Sequence, residues 1–281
     1  MRARVPASSA NLGPGFDTLA LALALYVEVD VEKGEELRIE ATGEGADIPA
    51  SPQHLAARVV REVAGHDRFT IRVHSDIPVG RGLGSSAALA AAAAAAAGAD
   101  DPLSVAAAVD GHPENAAASV LGGLVTAATI DGAPLAFRLE LDDALAFVVL
   151  VPDRRLPTKE ARAALPSTLP HGDASFNLGR MGLLLAGLAD HRRLVPEAME
   201  DRLHQTPRTP LFPESPALLA GLRASGAMAS AWSGAGPSLL AVCTRDSVDA
   251  VHRAGERLLE AHGVGGRALQ LQPDLTGLVL D

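Results

Sequence analysis

Pro78-Val79-Gly80-Arg81-Gly82-Leu83-Gly84-Ser85-Ser86-Ala87-Ala88 is the stretch on which the reading of this chain turns. Its glycines at 80, 82 and 84 let a backbone approach a ligand closely and take left-handed angles. Two serines then open an alanine run, the composition that forms helix most readily. The first amides of a helix lack internal partners and carry partial positive charge, so a glycine loop entering a long helix suits phosphate. Ser85 and Ser86 can add hydrogen bonds or face a metal. A serine N-cap alone accounts for a helix start, but not for three glycines behind Pro78.

Two familiar phosphate motifs compete with this reading. A Walker A loop requires Gly-Lys-Ser/Thr, and here Lys33 precedes Gly34 while Lys159 precedes Glu160. Gly82-Leu83-Gly84-Ser85-Ser86-Ala87 fits the dinucleotide pattern G-x-G-x-x-A. Against it, the loop from the strand at His74 is long, and Asp100-Asp101 precedes Pro102 instead of ending a strand.

The 281 residues suffice for one large or two modest domains. Hydrophobic residues at 48% and charged residues at 21% exclude wholesale disorder. A net charge of −10 without any basic run argues against nucleic acid as a partner. Lys33 and Lys159 are the only lysines, so a phosphate or carboxylate site must rely on arginine, helix ends or metal. The single cysteine, Cys243, excludes an intramolecular disulfide and fits a cytoplasmic address. Met1 to Pro6 lacks the apolar core of a signal peptide. Leu83 to Ala99 is the most membrane-like stretch, but Gly84, Ser85 and Ser86 break it and Asp100-Asp101 closes it, so it reads as a buried soluble helix and no membrane partner is expected.

Working outward, Tyr26 to Glu32 alternates as a half-buried strand, and Leu37 and Ile39 begin a partner strand after a turn at Lys33-Gly34. Leu55, Val59 and Val63 recur at helical spacing, and Phe69 to His74 alternates again. Beyond the alanine helix the pattern predicts helices at 103–109 and from Glu114 to Gly122, then strands at 124–130, 135–141 and 145–151. Pro152 and Pro157 bracket a polar connector, and the domain boundary is expected at 155/156. Helices are expected at 158–164, 174–189, 196–203, 214–224 and 246–261, with strands at 227–232, 238–243 and 267–272.

Three further loops carry chemistry-bearing residues. Pro6-Ala7-Ser8-Ser9-Ala10-Asn11-Leu12-Gly13-Pro14-Gly15-Phe16-Asp17 presents Asn11 and Asp17, short polar groups suited to a hydroxyl or an ammonium. Asp110-Gly111-His112-Pro113-Glu114-Asn115 clusters two carboxylates and an amide between helices, and Asp110 or Glu114 offers the hard oxygen that magnesium takes. His112 reads as structural. Ser233-Gly234-Ala235-Gly236-Pro237-Ser238 buttresses a ligand or forms a tight hairpin. Thr158 and Arg162 share a helix face, and Arg162 and Arg208 each present a planar fork suited to a carboxylate.

Together these loops resemble the GHMP small-molecule kinases, and within them the homoserine kinase family, nearly end to end. Pro78–Ala88 resembles the shared ATP motif P-x-x-x-G-L-G-S-S-A-A, and Pro6–Asp17 is similar to P-A-T-S-A-N-L-G-P-G-F-D almost letter for letter. Gly111–Asn115 with Leu121-Gly122-Gly123 resembles G-H-P-D-N…L-G-G, and Thr158–Arg162 with Leu165-Pro166 resembles T-x-x-A-R…L-P. Asp201-Arg202-Leu203-His204-Gln205…Arg208 and Ser233–Pro237 also match.

The resemblance implies an α+β, two-domain GHMP kinase fold, with an N-terminal mixed α/β nucleotide-binding domain (1–155), a C-terminal ferredoxin-like domain (156–281) and an active site between them. It implies ATP and Mg2+, with L-homoserine as acceptor and O-phospho-L-homoserine, a threonine precursor, as product. By position, Pro78 through Ala88 would bind the nucleotide, and Ser86 and Asp110 the metal. Asn11, Asp17, Glu114 and Asn115 would hold the amino and hydroxyl ends of homoserine; Thr158, Arg162 and Arg208 would hold its carboxylate. Asn11, Asp17, Asn115 and Arg162 are the expected catalytic set. Two neighbouring departures stand out: Asp110 replaces the family's usual Glu, and Glu114 its usual Asp. Ser8 stands for Thr, and Trp232 for an aliphatic residue. A homodimer through an exposed strand edge is compatible with the sequence. The alternatives are another GHMP kinase with a different acceptor (mevalonate, a sugar or shikimate), a non-catalytic nucleotide-binding relative, and a dinucleotide-dependent oxidoreductase.

Overall fold

Alternating polar and apolar side chains build a first sheet, and uninterrupted apolar runs build a second. The computed structural model describes all 281 residues. Its first half runs β1 (Arg2–Ala10), β2 (Leu19–Lys33), β3 (Arg38–Gly43), α1 (Leu55–Ala64), β4 (Phe69–Ser75), α2 (Ser85–Ala96), α3 (Pro102–Asp110), α4 (Glu114–Leu121), β5 (Leu124–Ile130) and β6 (Ala133–Leu139). The second runs β7 (Leu145–Pro152), α5 (Thr158–Ala163), α6 (His171–Ala189), α7 (Gln205–Arg208), α8 (Ser215–Ala224), β8 (Ala229–Trp232), β9 (Leu239–Thr244), α9 (Val248–Ala261), β10 (Gly266–Leu271) and β11 (Val279–Leu280).

The first sheet has the order β11-β1-β2-β4-β3, with β5 also on β2 and β6 outside β5. The long β2 serves two neighbours along one edge: Leu19–Leu21 pair with β5, and Val27–Lys33 with β4. Because β4 occupies that edge, β3 does not fold back on β2 as the turn at Lys33-Gly34 suggested. It lies outside β4 and runs parallel to it. β1 is a second correction. The Pro6–Ala10 segment, read as loop, is strand, paired antiparallel to β2 up to Ala10↔Ala20 with a register shift at Pro6/Ala7. Its residues from Val5 onward are all buried, so no alternation marks them.

The second sheet, β10-β7-β9-β8, is wholly antiparallel. Its strand β7 is buried on both faces. Leu145, Phe147, Val149 and Val151 join the main core shared with the first sheet, whereas Ala146, Val148 and Leu150 pack into a second core with α8 and α9. β7 thus belongs to the second sheet although it precedes residue 155, and β11 returns to the first. The helix expected at 196–203 is a single 3₁₀ turn, Pro196–Met199. The Asp201 carboxylate then gathers the amides of Leu203, His204 and Gln205 and starts α7.

The alanine run is α2. Nine of its residues are buried, so neighbours surround it instead of covering one stripe. Alanine brings those neighbours close, and α2 touches β1, β2, α1, α3 and α4. No helix is long and apolar enough to cross a membrane. Ala92→Leu would drive extra methylenes into this fully enclosed position. A loss of about 1–3 kcal/mol in urea unfolding is expected; a variant as stable as the parent would show that α2 has room to spare.

Candidate active site

Where β1 ends, its neighbours close on one another through backbone contacts. Gly82 and Gly84 have φ of +78° and +66°. A Cβ at Gly82 would sit 2.2 Å from Ser233 O, and one at Gly84 would sit 2.0 Å from Ser8 Oγ. Only glycine fits either place. Ser233 Oγ donates to Gly82 O at 2.6 Å and lies 2.8 Å from Ser9 Oγ. Gly234 N donates to Ala10 O at 3.0 Å. The loops singled out from the sequence are therefore stitched together around a cleft of about 300 Å³.

The structure brings Asn11, Asp17, Gly80, Gly82, Gly84, Ser85, Ser86, Asp110, Glu114, Asn115, Thr158, Arg162 and Arg208 to the walls of this cleft. It does not bring every residue of the glycine loop there. Pro78, Leu83, Ala87 and Ala88 are buried away from it. Arg81 donates to Pro152 O at 2.7 Å, tying the loop to β7. Val79 faces an adjoining apolar cavity of about 160 Å³, whose wall includes Ile48, Leu55, Val73 and Leu89 and which shares Ser85 and Ser86 with the cleft.

Two of the expected ligand-holding amides are already engaged. Asn11, at φ +71°, donates through Nδ2 to Gly234 O at 2.9 Å, and its Oδ1 accepts from Asp17 N at 3.0 Å. Its amide therefore fixes the turn that aims Asp17. Asn115 Oδ1 accepts from Ser8 Oγ at 2.8 Å, and Nδ2 donates over a long 3.3 Å to Glu114 Oε1. Arg162 meets Asp17 with both forks, at 2.6 and 3.1 Å.

Two buried charges are left incompletely matched. Arg208 is 1% exposed. Nε donates to Ala161 O, and Nη1 to Gly234 O and His204 Nδ1, but Nη2 has no partner and no carboxylate pairs with the head. Burial, then the charge of Arg162, pushes its pKa down to about 10. Glu114 is likewise 1% exposed; Oε1 accepts from His112 Nδ1 at 2.7 Å, while buried Oε2 has no partner. Burial disfavours the His112 imidazolium, yet Glu114 and Asp17 outweigh it and raise the His112 pKa. Burial and the nearby Glu114 push Asp110 up to about 6.

Ligand atoms of Asp17, His112 and Glu114 lie within 4.8 Å of one another. Arg162 and His112 already neutralise the two carboxylates. Asp110, by contrast, is in no ion pair, and the Ser86 hydroxyl is exposed at the start of α2. Sequence reasoning left out Ser8, His112 and His204. Ser8 and His112 lie within the quoted motifs, but their partners Asn115 and Glu114 are fixed only by the fold. His204 is fully buried between Arg208 and Gly13, donating from Nε2 to Gly13 O at 2.8 Å and accepting on Nδ1 from Arg208 at 3.0 Å.

Comparison with known proteins follows the same lines. The GHMP kinases N terminal domain model matches residues 51–123, and the GHMP kinases C terminal model matches 179–261. A homoserine kinase of Streptomyces avermitilis is 44% identical over 275 residues, covering 91% of this chain and 90% of that protein. One from Moorella thermoacetica is 39% identical over 255 residues, 85% and 86% of the two chains. Among solved structures, a homoserine kinase from Cytophaga hutchinsonii superimposes with a TM-score of 0.86 at 24% identity, covering 99% of this chain and 96% of that one. Mevalonate kinase of L. major gives a TM-score of 0.71 at 14% identity over 97% and 96%. At those identities the two structures speak to the fold alone.

His204 makes stability depend on pH. Burial lowers its pKa from 6.5 to about 4, so within that window the unfolded chain binds a proton that the folded chain refuses. Its contribution is complete above 6.5 and is lost as pH falls toward 4. Urea unfolding from about pH 7 to about pH 4.5 should therefore lose up to about 3 kcal/mol more in the parent than in His204→Gln. Parallel profiles would show that His204 does not titrate on unfolding.

Proposed function

The chain belongs to the homoserine kinase family of the GHMP kinases, and from that premise we propose that its cleft transfers the γ-phosphoryl group of ATP to the side-chain hydroxyl of L-homoserine, giving O-phospho-L-homoserine for threonine synthesis. The observation that carries the choice of acceptor is the pair of buried, incompletely matched charges. Arg208 Nη2 calls for an anion and Glu114 Oε2 for a cationic donor. A zwitterionic amino acid supplies both; a sugar supplies neither, and mevalonate or shikimate only the carboxylate. Leaving either group unmatched when the wrong acceptor enters costs about 1–3 kcal/mol.

In this reading Gly80 to Ser85 and the first amides of α2 cradle the triphosphate, and the apolar cavity past Val79 takes the base. Magnesium, when bound, would supply positive charge to neutralise the phosphate oxygens. Ser86 and Asp110 are the residues that would hold it: a free hydroxyl and a desolvated carboxyl that stands in no ion pair. The shorter Asp110 and longer Glu114 exchange reach without changing charge, and we take the two departures to compensate. Arg162, with Arg208 and Thr158, receives the carboxylate of homoserine. Asp17 and Glu114 receive its ammonium, and Asn115 aligns the hydroxyl. The hydroxyl oxygen attacks the γ-phosphorus as the bond to the bridging oxygen of ADP breaks, and its proton passes to the transferred phosphoryl group. Positioning and charge neutralisation supply the rate, since no side chain stands free as a base. We also propose a homodimer along the unpaired outer edge of β6, where Leu135 and Phe137 are exposed.

An ADP-release assay with MgATP and a panel of alcohols should single out L-homoserine. A preference for mevalonate or a sugar would overturn the assignment. Glu114→Gln keeps the shape of the side chain and removes its charge. It should raise the KM for homoserine roughly tenfold to a hundredfold, with the KM for ATP within about twofold. Asn115→Ala should cut kcat by roughly a hundredfold with the smaller effect on KM, as for a group used mainly in the transition state. Magnesium dependence and homoserine KM compared between the parent and Asp110→Glu/Glu114→Asp test the compensation. Each single swap should be worse than the pair, and additive losses would refute it.

A further inference from the structure

Behind α7, on the side away from the catalytic cleft, lies a second polar cavity of about 730 Å³. It is bounded by α6, the Pro196–Arg202 bend, α7, α8 and strand β8, and none of its lining residues lines the cleft. Arg180, Arg202 and Arg223 line this cavity, together with the carboxylates of Glu197, Glu200 and Asp201. The partners of the arginines are unequal. Arg180 pairs with Glu200 and Arg202 with Asp173, and both guanidiniums stack on the Phe176 ring. Arg223 meets no carboxylate; its head is held only by Ser230 Oγ at 2.8 Å, and Ser230 is in turn fixed to Leu219 O. Four neutral donors fill the Asp201 carboxylate, and neither it nor Glu197, the other carboxylate on this wall without an ion pair to an arginine, is paired with Arg223.

Two further polar groups on the wall lack a partner. Ser215 is fully buried, and its Oγ makes no hydrogen bond; Arg180 Nε is also unpaired. A buried hydroxyl without a partner is costly unless something completes it. A guanidinium that pairs with no carboxylate and is held in place by Ser230, beside the unpartnered Ser215 hydroxyl and Arg180 Nε, offers a receptor for an oxyanion. We propose that this cavity is a second ligand site, for a small organic oxyanion held by Arg223 and Ser215, and that it communicates with the catalytic cleft through α7.

The link is physical. α7 is a single turn, with Gln205 on the wall of this cavity and Arg208 on the wall of the cleft. Gln205 spans the gap to the sheet: its Oε1 accepts from Trp232 N at 2.8 Å and its Nε2 donates to Met199 O at 3.1 Å. A ligand that shifts Gln205 shifts the segment carrying the one buried arginine of the cleft. Carboxylates and phosphate esters share the required chemistry. The expected effect on the homoserine KM rests on the kinase reading; binding itself does not.

Trp232, the only tryptophan, lines the cavity and serves as the probe. Its emission is followed on titrating the full-length protein with inorganic phosphate or with acetate, against chloride at equal ionic strength. A saturable change is expected with one of the two anions, which identifies the favoured class. It should be weakened roughly tenfold or more in Arg223→Gln and in Ser215→Ala, each of which removes one donor. Phosphate entering the cleft would change the signal equally in the parent and in Arg223→Gln, so equal titrations, or none that saturates, would overturn the site. With the favoured anion present, the homoserine KM of the parent should shift by roughly threefold or more, and that of Arg223→Gln should not. Binding with an unmoved KM would overturn the link through α7 while leaving the kinase reading intact.

Discussion

Close approach of Gly82 to the Ser233 carbonyl and of Gly84 to the Ser8 hydroxyl is the constraint from which the rest of the cleft follows. Without Cβ atoms there, the loop before α2 can lie directly against Ser8 on β1 and Ser233 between β8 and β9. Three segments distant in sequence thereby meet at one place. The alanine helix behind the loop makes the same use of small size: enclosed on all sides, it brings the first sheet and its helices near enough for Ser8 to reach Asn115. Local strain at the positive-φ residues Asn11 and Asp17 is offset by the Asn11 hydrogen bonds with Gly234 O and Asp17 N.

Onto that frame the protein places charges that it does not fully neutralise itself. The Asp17–Arg162 pair is matched, and so is one oxygen of Glu114. Arg208 and the second oxygen of Glu114 are not. Burial without a partner is unfavourable for the empty protein, and the same desolvation gives a matching ligand a large advantage over a mismatched one. With no lysine on the cleft wall, arginine forks and helix amides provide the positive field. His204, held neutral by burial, keeps Arg208 in position without adding a repelling charge.

Some of this was legible in the residues. The glycine loop, the helix after it and the strands at Tyr26–Glu32 and Phe69–His74 follow from local chemistry: glycine spacing, alanine propensity and period-two alternation; the α+β organisation was implied by the family resemblance. Most of the residues that line the cleft also lay in recognisable motifs. Other features could not be read locally. β1 from Val5 onward is buried on both faces and shows no alternation. β3 pairs with β4 because β4 already fills the edge of β2, and the 196–203 segment bends because Asp201 captures the amides that a helix would have used.

Sequence by itself determined which residue types gather in this protein and what they can bind, because hydrogen-bonding capacity and charge belong to side chains wherever they sit. Tertiary structure alone decided which of them remain available. Asn11 and most of Asn115 are consumed by Gly234, Asp17 and Ser8, whereas Arg208 and Glu114 keep an open position. The physical reason is that satisfaction of a polar group depends on partners tens to hundreds of residues away, and those distances are set by how the two sheets and α2 pack.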